Sequence, residues 1–135
     1  MDSTLFQAAS PTILIVEDDA ELRDLIAVTL RQAGYDVVLA PDGSAEAALD
    51  LISALEFDGL CCEARLPGPV DGWEVGTTFS FVSPHKLTVY ASAALSEPPG
   101  RLRNGIFLRK PFALERLVRI FDAGTAAARA RRLWA

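Results

Sequence analysis

Acidic residues and a lysine follow three apolar segments of this sequence, at the points where strands would end. Three acids, residues 17–19, come directly after TILIV, Glu63 comes after GLCC, and Lys110 comes after IFLR. Carboxylates gathered in one place repel one another unless protons or a cation neutralise them. Their oxygen atoms suit a hard ion such as Mg²⁺. A dianionic group held between Mg²⁺ and a lysine would be well stabilised, as phosphoryl transfer requires.

The apolar segments are short and alternate with helical patterns. TILIV is an unbroken apolar run rich in β-branched residues, which is typical of a strand buried on both faces. Four more segments have strand character: YDVVLA, DGLCC, KLTVYA and IFLR. Five short strands alternating with helices predict a parallel sheet with helices on both faces. Ligands of such folds bind beyond the carboxyl ends of the strands, so the acids and the lysine are the candidate site.

The helix boundaries are less clearly marked than the strands. Asp18, with Glu21 three residues later, resembles a capping box at the start of the first helix. GWEVGTTFSFVS should be the third helix by alternation, although its glycine and threonines are poor helix formers. SEPPGRLRNG is rich in proline and glycine and holds at most a short helix. A long helix closes the chain, and we expect Gly124 to break or bend it.

Composition narrows the class of protein. The chain has 135 residues and a net charge of −5, which argues against nucleic acid as the main partner. No segment has the pattern of a signal peptide or the length needed to cross a membrane, so no membrane partner is expected. Cys61 and Cys62 are neighbours, which would point to opposite faces of a strand and make a poor disulfide. Two reduced core cysteines suit a cytoplasmic protein.

Three segments together resemble the receiver domain of two-component response regulators: ILIVEDDAELRDLI, DGLCCEARLPGPVDGWE and FLRKPF. The resemblance covers roughly residues 11–123. It implies a flavodoxin-like, doubly wound sheet of five parallel strands in the order 2-1-3-4-5. It also implies a histidine kinase or phosphotransfer protein as phosphoryl donor and a downstream signalling protein as target. We expect a single, stand-alone domain over residues 1–135, with a core at about 11–123, an N-terminal tail at 1–10 and a C-terminal helix extension at 124–135.

The resemblance assigns roles to the residues around the expected metal. Asp18 corresponds to the direct Mg²⁺ ligand and Glu17 to its water-mediated partner. The backbone carbonyl of Arg65 would complete the metal shell. Lys110, followed by Pro111, corresponds to the lysine that contacts the phosphoryl group.

Further positions correspond to the acceptor and the switch. Pro67 corresponds to the proline that lies four residues after the phosphoacceptor, which places Glu63 at the acceptor position and among the metal ligands. Phe107 matches the switch aromatic. Ser92 is the candidate switch hydroxyl, whereas a shift of one residue would place Ala91 there.

Glu63 departs from the family, which has aspartate at this position. Its side chain is longer by one methylene, roughly 1.5 Å. Glu63 could mimic the phosphorylated state, or the domain could bind partners without phosphorylation, or Glu63 could itself be phosphorylated. The third reading is disfavoured because a misplacement of about 1 Å can cost on the order of 100-fold in rate. The guanidinium of Arg65 could also pair with Glu63 or Asp18 and replace the metal.

Two other classes of protein remain open. A small Mg²⁺-dependent phosphohydrolase could use the same acids, although no aspartate stands at the expected nucleophile position. A purely structural interaction domain could use the basic terminal helix, which carries Arg129, Arg131 and Arg132. The proline-rich fourth helix region puts the standard receiver dimer surface in doubt, and a homodimer stays open. Our prediction is a receiver that acts through protein contacts and is not an enzyme.

Overall fold

A parallel sheet with helices on both faces forms the structure. The computed structural model describes residues 10–93 and 105–134, and for residues 127–134 it describes the backbone alone. Within these residues the strands are β1 (Thr12–Val16), β2 (Asp36–Leu39), β3 (Gly59–Glu63), β4 (Leu87–Ser92) and β5 (Gly105–Arg109). The helices are α1 (Ala20–Gln32), α2 (Ala45–Ala54), α3 (Gly72–Val82) and α4 (Leu114–Trp134). All neighbouring strands pair in parallel, in the order β2-β1-β3-β4-β5, which confirms the predicted fold.

Alternating strand residues build two apolar layers. Helices α2 and α3 cover one face, and the buried residues there include Leu14, Val16, Leu60, Cys62, Ala48, Ile52, Val75 and Phe79. Helices α1 and α4 cover the other, with Ile13, Ile15, Cys61, Val89, Ile26, Leu30, Leu117 and Phe121. Successive strand residues point to opposite faces, so the two free cysteines lie in different layers. Among the described helices, none combines the length and the apolar character that crossing a bilayer requires.

The cap of α1 corrects one prediction. Asp19, and not Asp18, is the N-cap, and its Oδ1 accepts hydrogen bonds from the amides of Glu21 at 3.0 Å and Leu22 at 3.2 Å. The chain is still extended at Asp19, whose own amide donates to the carboxylate of Glu17 at 3.2 Å. The helix therefore starts one residue later than the capping-box pattern indicated, and Asp18 stays exposed at the edge of the sheet.

Helix α3 forms despite its poor helix formers because it is held at its start and along one side. Asp71 caps it by accepting a hydrogen bond from the amide of Glu74 at 3.1 Å. Val75 and Phe79 are buried against the sheet. Gly76 faces Tyr90, and a methyl group at this position would overlap the tyrosine ring. Tertiary packing thus overrides intrinsic propensity here.

The terminal helix is more continuous than the sequence indicated. It runs through Gly124, so of the expected break or bend at this residue the break is wrong. Gly124 instead lets the helix approach β4, since a methyl group there would lie 2.7 Å from a terminal carbon of Leu87. Most of the proline-rich segment between β4 and β5, which was expected to hold at most a short helix, lies outside the described residues.

The contact between Gly76 and Tyr90 gives a test of the α3 packing. In most helices Gly→Ala stabilises by about 0.5–1 kcal/mol. We expect Gly76→Ala to lower the free energy of unfolding by about 1–3 kcal/mol, because the new methyl overpacks against Tyr90. Urea denaturation would measure it. In a Tyr90→Leu background the cost of Gly76→Ala should shrink or reverse, and an unchanged cost would show that the two residues do not limit each other.

Candidate functional site

The carboxyl ends of four strands bring the candidate residues together. Glu17 follows β1, Glu63 is the last residue of β3, Ser92 is the last residue of β4, and Lys110 follows β5. Strand β3 lies between β1 and β4 in the sheet, so Glu63 is central in this group. The Lys110–Pro111 peptide bond is cis.

A single ammonium group joins the two glutamates. The Nζ atom of Lys110 lies 2.5 Å from Oε1 of Glu17 and 2.5 Å from Oε2 of Glu63. The side chains of Glu17 and Glu63 are 3% and 7% exposed, and that of Lys110 is 18% exposed. Charge-assisted bonds of this length in a largely buried setting are the strong kind. The cluster therefore carries its own cation.

Each glutamate uses its second oxygen in the same way. Oε2 of Glu17 accepts a hydrogen bond from the amide of Asp19 at 3.2 Å, and Oε1 of Glu63 accepts one from the amide of Arg65 at 2.9 Å. In both cases the donor lies two residues along the chain. Both carboxylates are thus held between Lys110 and their own backbone, which fixes the rotamers of both side chains.

Burial and pairing shift the pKa values of this cluster. Burial raises the pKa of the Glu17 carboxyl above its ordinary 4.5, and the opposing effects of Lys110 and the Asp19 amide offset this only in part. Burial acts to lower the pKa of Lys110, but its hydrogen bonds to Glu17 and Glu63 outweigh that effect, and the pKa is raised above 10.5. Lys110 therefore stays protonated at neutral pH, as its bridging position requires.

The main chain around both glutamates is tightly confined. A methyl group at Gly43, where φ is +65°, would overlap the backbone carbonyl of Glu17, and one at Gly72 would overlap that of Glu63. The Nη1 atom of Arg23 also donates to the carbonyl oxygen of Glu17 at 2.9 Å. The connection between β2 and α2 and the start of α3 thus lie against the main chain of the two glutamates. The positions of both carboxylates therefore depend on small residues elsewhere in the chain.

The residues predicted for the switch lie beside this cluster. Ser92 is buried, and its backbone carbonyl accepts a hydrogen bond from the amide of Lys110 at 3.0 Å. Ala91 instead pairs with Glu63 in the sheet. The strand end next to Lys110 is therefore Ser92, and its role as the switch hydroxyl stays a prediction.

An aromatic cluster adjoins the switch position. Phe107 is half-buried and stacks on Trp73 with ring centroids 6.2 Å apart, and Trp73 lies 4.6 Å from Tyr90. The hydroxyl of Tyr90 is buried and has no hydrogen-bond partner among the residues that the structure describes. The sequence placed Trp73 at the start of the third helix, but no spacing rule indicated that it would reach β5.

Asp18 and Arg65 lie at the margin of the site. Both residues are exposed, and Asp18 contributes to the raised pKa of Glu17 through its side chain. The backbone amide of Arg65 donates to Oε1 of Glu63 at 2.9 Å. Roles for Asp18 and for the Arg65 carbonyl in metal binding stay predictions.

The acids suit Mg²⁺ by their chemistry but not by their arrangement. Among the described residues, no three acidic, histidine or cysteine side chains converge as metal ligands. The place between Glu17 and Glu63 that a cation would take is filled by the ammonium of Lys110. The residues present therefore do not fit a bound Mg²⁺ as long as Lys110 contacts both carboxylates.

Removing the ammonium should leave two buried carboxylates without the lysine that neutralises them. We expect Lys110→Met to lower the free energy of unfolding by about 3 kcal/mol at neutral pH. Lys86→Met is the matched control, since Lys86 pairs with Asp58 at 3.1 Å in a more exposed setting and should cost about 0–1 kcal/mol. Chemical denaturation of the three proteins measures both costs, and equal costs would contradict the proposed importance of the bridge.

The same variant should respond to pH with a defined sign. Burial raises the folded-state pKa of Glu17, and in Lys110→Met the lysine no longer opposes this shift. A raised carboxyl pKa adds stability as pH falls through that pKa. The deficit of Lys110→Met relative to the wild type should therefore shrink from about pH 7 to about pH 5. A deficit that stays constant or grows would show that the glutamates are not unpaired in the variant.

Comparisons with known proteins agree with this geometry. Residues 13–122 match the family model of the response regulator receiver domain. The chain is 30% identical over 115 residues to the transcriptional regulatory protein FixJ of Bradyrhizobium diazoefficiens, covering 82% of this chain and 55% of that protein. It is 36% identical over 110 residues to the response regulator MprA of Mycolicibacterium vanbaalenii, covering 78% and 46%. The chain thus spans about half the length of these curated relatives.

A solved structure leads to the same family. A response regulator receiver protein from Sinorhizobium medicae superposes with a TM-score of 0.80 at 29% identity, covering 88% of this chain and 97% of that one. Receiver domains commonly bind Mg²⁺ at the phosphorylation site, interact with histidine kinases or phosphotransfer proteins, and are generally signalling domains without enzymatic activity. The fold, the matched residues and these relatives show that the chain belongs to the response regulator receiver domain family of two-component signalling.

Proposed function

We propose that this receiver signals through protein contacts without being phosphorylated, with Glu63 in the phosphoacceptor position. One observation carries the proposal: the ammonium of Lys110 contacts the carboxylates of both Glu63 and Glu17 at 2.5 Å. In the receivers that this sequence resembles, the lysine contacts the phosphoryl group. Here the lysine already contacts the carboxylate of Glu63. The sequence itself therefore supplies a negative group where the phosphoryl group would otherwise meet the lysine.

The engagement of Glu63 argues against its own phosphorylation. One of its oxygens faces Lys110, the other accepts the amide of Arg65, and the side chain is buried. In-line attack on a phosphoryl donor needs a free oxygen at a defined position. Whichever oxygen attacked would first have to leave its partner. We therefore retain the readings in which the domain is permanently in one state or binds partners independently of phosphorylation.

Lys110, and not the Arg65 guanidinium, is the proposed substitute for Mg²⁺. It neutralises the two carboxylates from inside the cluster, and its raised pKa keeps it charged. The partners expected for this site are a histidine kinase, a phosphotransfer protein or a downstream signalling protein. We place the binding unit at about residues 11–123 and regard residues 124–135 as a helical extension. Ser92 and Phe107 are the proposed relay from the site to the neighbouring surface.

Incubation with acetyl phosphate and Mg²⁺, followed by intact mass spectrometry, tests the proposal. We expect no phosphoryl adduct on the wild type. Glu63→Asp shortens the side chain by roughly 1.5 Å and withdraws it from Lys110, so an adduct is expected on this variant. Glu63→Gln is the control without a carboxylate and should carry no adduct. A stable adduct on the wild type that is absent from Glu63→Gln would overturn the proposal.

Calorimetric titration with Mg²⁺ tests the role of Lys110 separately. Wild-type protein should bind Mg²⁺ weakly, because the metal must displace the ammonium from the carboxylates. Glu63→Asp should bind at least about tenfold more tightly, equivalent to about 1.4 kcal/mol. Tight binding by the wild type would contradict the substitution of the metal by Lys110. Turnover of an aryl phosphate in the same buffer would instead support a phosphohydrolase.

A further inference from the structure

An open groove lies at the end of the sheet opposite the Lys110 cluster. It lies between the starts of β4 and β5 and the outer side of α4, with a volume of about 570 Å³. Its lining is apolar apart from two arginines and includes Ile106, Ile120, Ala123, Arg116 and Arg119. Ile106 is 38% exposed, which is unusual for an isoleucine in a sheet strand. The groove is therefore an apolar floor with a basic margin.

Neither arginine forms an ion pair in the described part of the chain. Arg116 and Arg119 are both exposed, and the ion pairs found among the described residues do not include them. Arg116 stands in the first turn of α4, where the helix dipole disfavours positive charge by about 0.3–1 kcal/mol. Helix stability thus gives no reason for a basic residue at this position, and an acidic partner would.

Helix α1 has a surface with the opposite charge at the same spacing. Its outer stripe consists of Glu21, Asp24, Leu25 and Val28, whereas the stripe on α4 consists of Arg116, Arg119, Ile120 and Ala123. Both sets follow the i, i+3, i+4, i+7 pattern, which places four side chains on one face of a helix. Leu25 and Val28 are 56% and 50% exposed. Two acids and two aliphatic residues therefore match two arginines and two apolar residues, position by position.

The topology allows these two stripes to meet in the correct direction. Helix α1 starts at the carboxyl edge of the sheet, after β1, and returns to the opposite edge, where β2 begins. Helix α4 also starts at the carboxyl edge, after β5, and at Gly124 it reaches Leu87, the first residue of β4. Both helices cover the same face. A second copy displaced sideways without rotation would thus place its α1 parallel to α4.

We propose that the groove binds helix α1 of a second copy of this chain. Glu21 and Asp24 of one copy face Arg116 and Arg119 of the other, while Leu25 and Val28 enter the apolar floor beside Ile120. The interface is heterologous, because each copy keeps a free α1 stripe at one side and a free groove at the other. Association therefore continues beyond a dimer. This inference does not depend on the state of Glu63.

Analytical ultracentrifugation of the full chain tests the association. Over about 10 µM to about 1 mM, the weight-average mass should rise with concentration and pass the dimer without a plateau, as expected for a small heterologous interface. Raising NaCl from about 0.1 M to about 1 M shortens the Debye length from about 10 Å to about 3 Å, so the association should weaken. A mass that stays that of a monomer, or that levels off at a dimer, would overturn the proposal.

Charge reversal tests the stripes themselves. Asp24→Arg and Arg119→Glu should each weaken association about tenfold or more, and the two together should restore it. Asp50→Arg, on the exposed side of α2, makes the same charge change as Asp24→Arg and should leave association unaltered. All three positions are exposed, and circular dichroism checks that each variant is folded. Equal weakening by Asp50→Arg, or failure of the double reversal to restore association, would contradict the proposed contact between the two stripes.

Cross-linking identifies the faces that meet. Val28→Cys in one preparation and Ala123→Cys in another should form a mixed disulfide when combined, and more of it than either protein forms alone. The native cysteines do not interfere, because both are buried and burial raises the pKa of Cys61 to about 12. Predominant Val28→Cys homodimers would indicate a symmetric contact and contradict the heterologous arrangement.

Discussion

The ammonium of Lys110 links residues at the ends of three strands. It lies after β5 and contacts the carboxylates of Glu17, after β1, and Glu63, at the end of β3. One positive charge thus holds three strand ends together. Leaving a buried carboxylate unpaired costs more than the pair contributes over an apolar replacement. The cluster is therefore poor evidence for high stability and good evidence for a fixed arrangement. The Arg23 contact and the confining glycines restrict the main chain of the same two glutamates whose side chains Lys110 holds.

The sheet could be predicted because its rules are local. Strands buried on both faces are apolar throughout, and alternation with helices then determines parallel pairing. The same rules placed Glu17, Glu63 and Lys110 at one edge. They could not place the start of α1, because Asp18 and Asp19 are equally good caps and the hydrogen bond from the Asp19 amide to the Glu17 carboxylate favours Asp19.

The details of the site depended on contacts that are distant in sequence. Sequence reasoning assigned Glu17 to a metal through water, whereas in the structure it contacts Lys110 directly. That pairing is set by how far a lysine reaches across two neighbouring strands, which no spacing rule encodes. Helix α3 is a similar case, since the fit of Gly76 against Tyr90 compensates for a segment of low helical propensity.

The stacking of Trp73 on Phe107 gives the domain a built-in optical reporter. The indole contacts Tyr90 on β4 and Phe107 on β5, and it stands at the start of α3, just after the loop that follows Glu63. Indole emission depends on the polarity and the quenching groups around the ring, and the partly buried Trp73 samples both strands at once. A partner that shifts Phe107 would therefore change the fluorescence of Trp73, without any label and without any chemistry at the carboxylates.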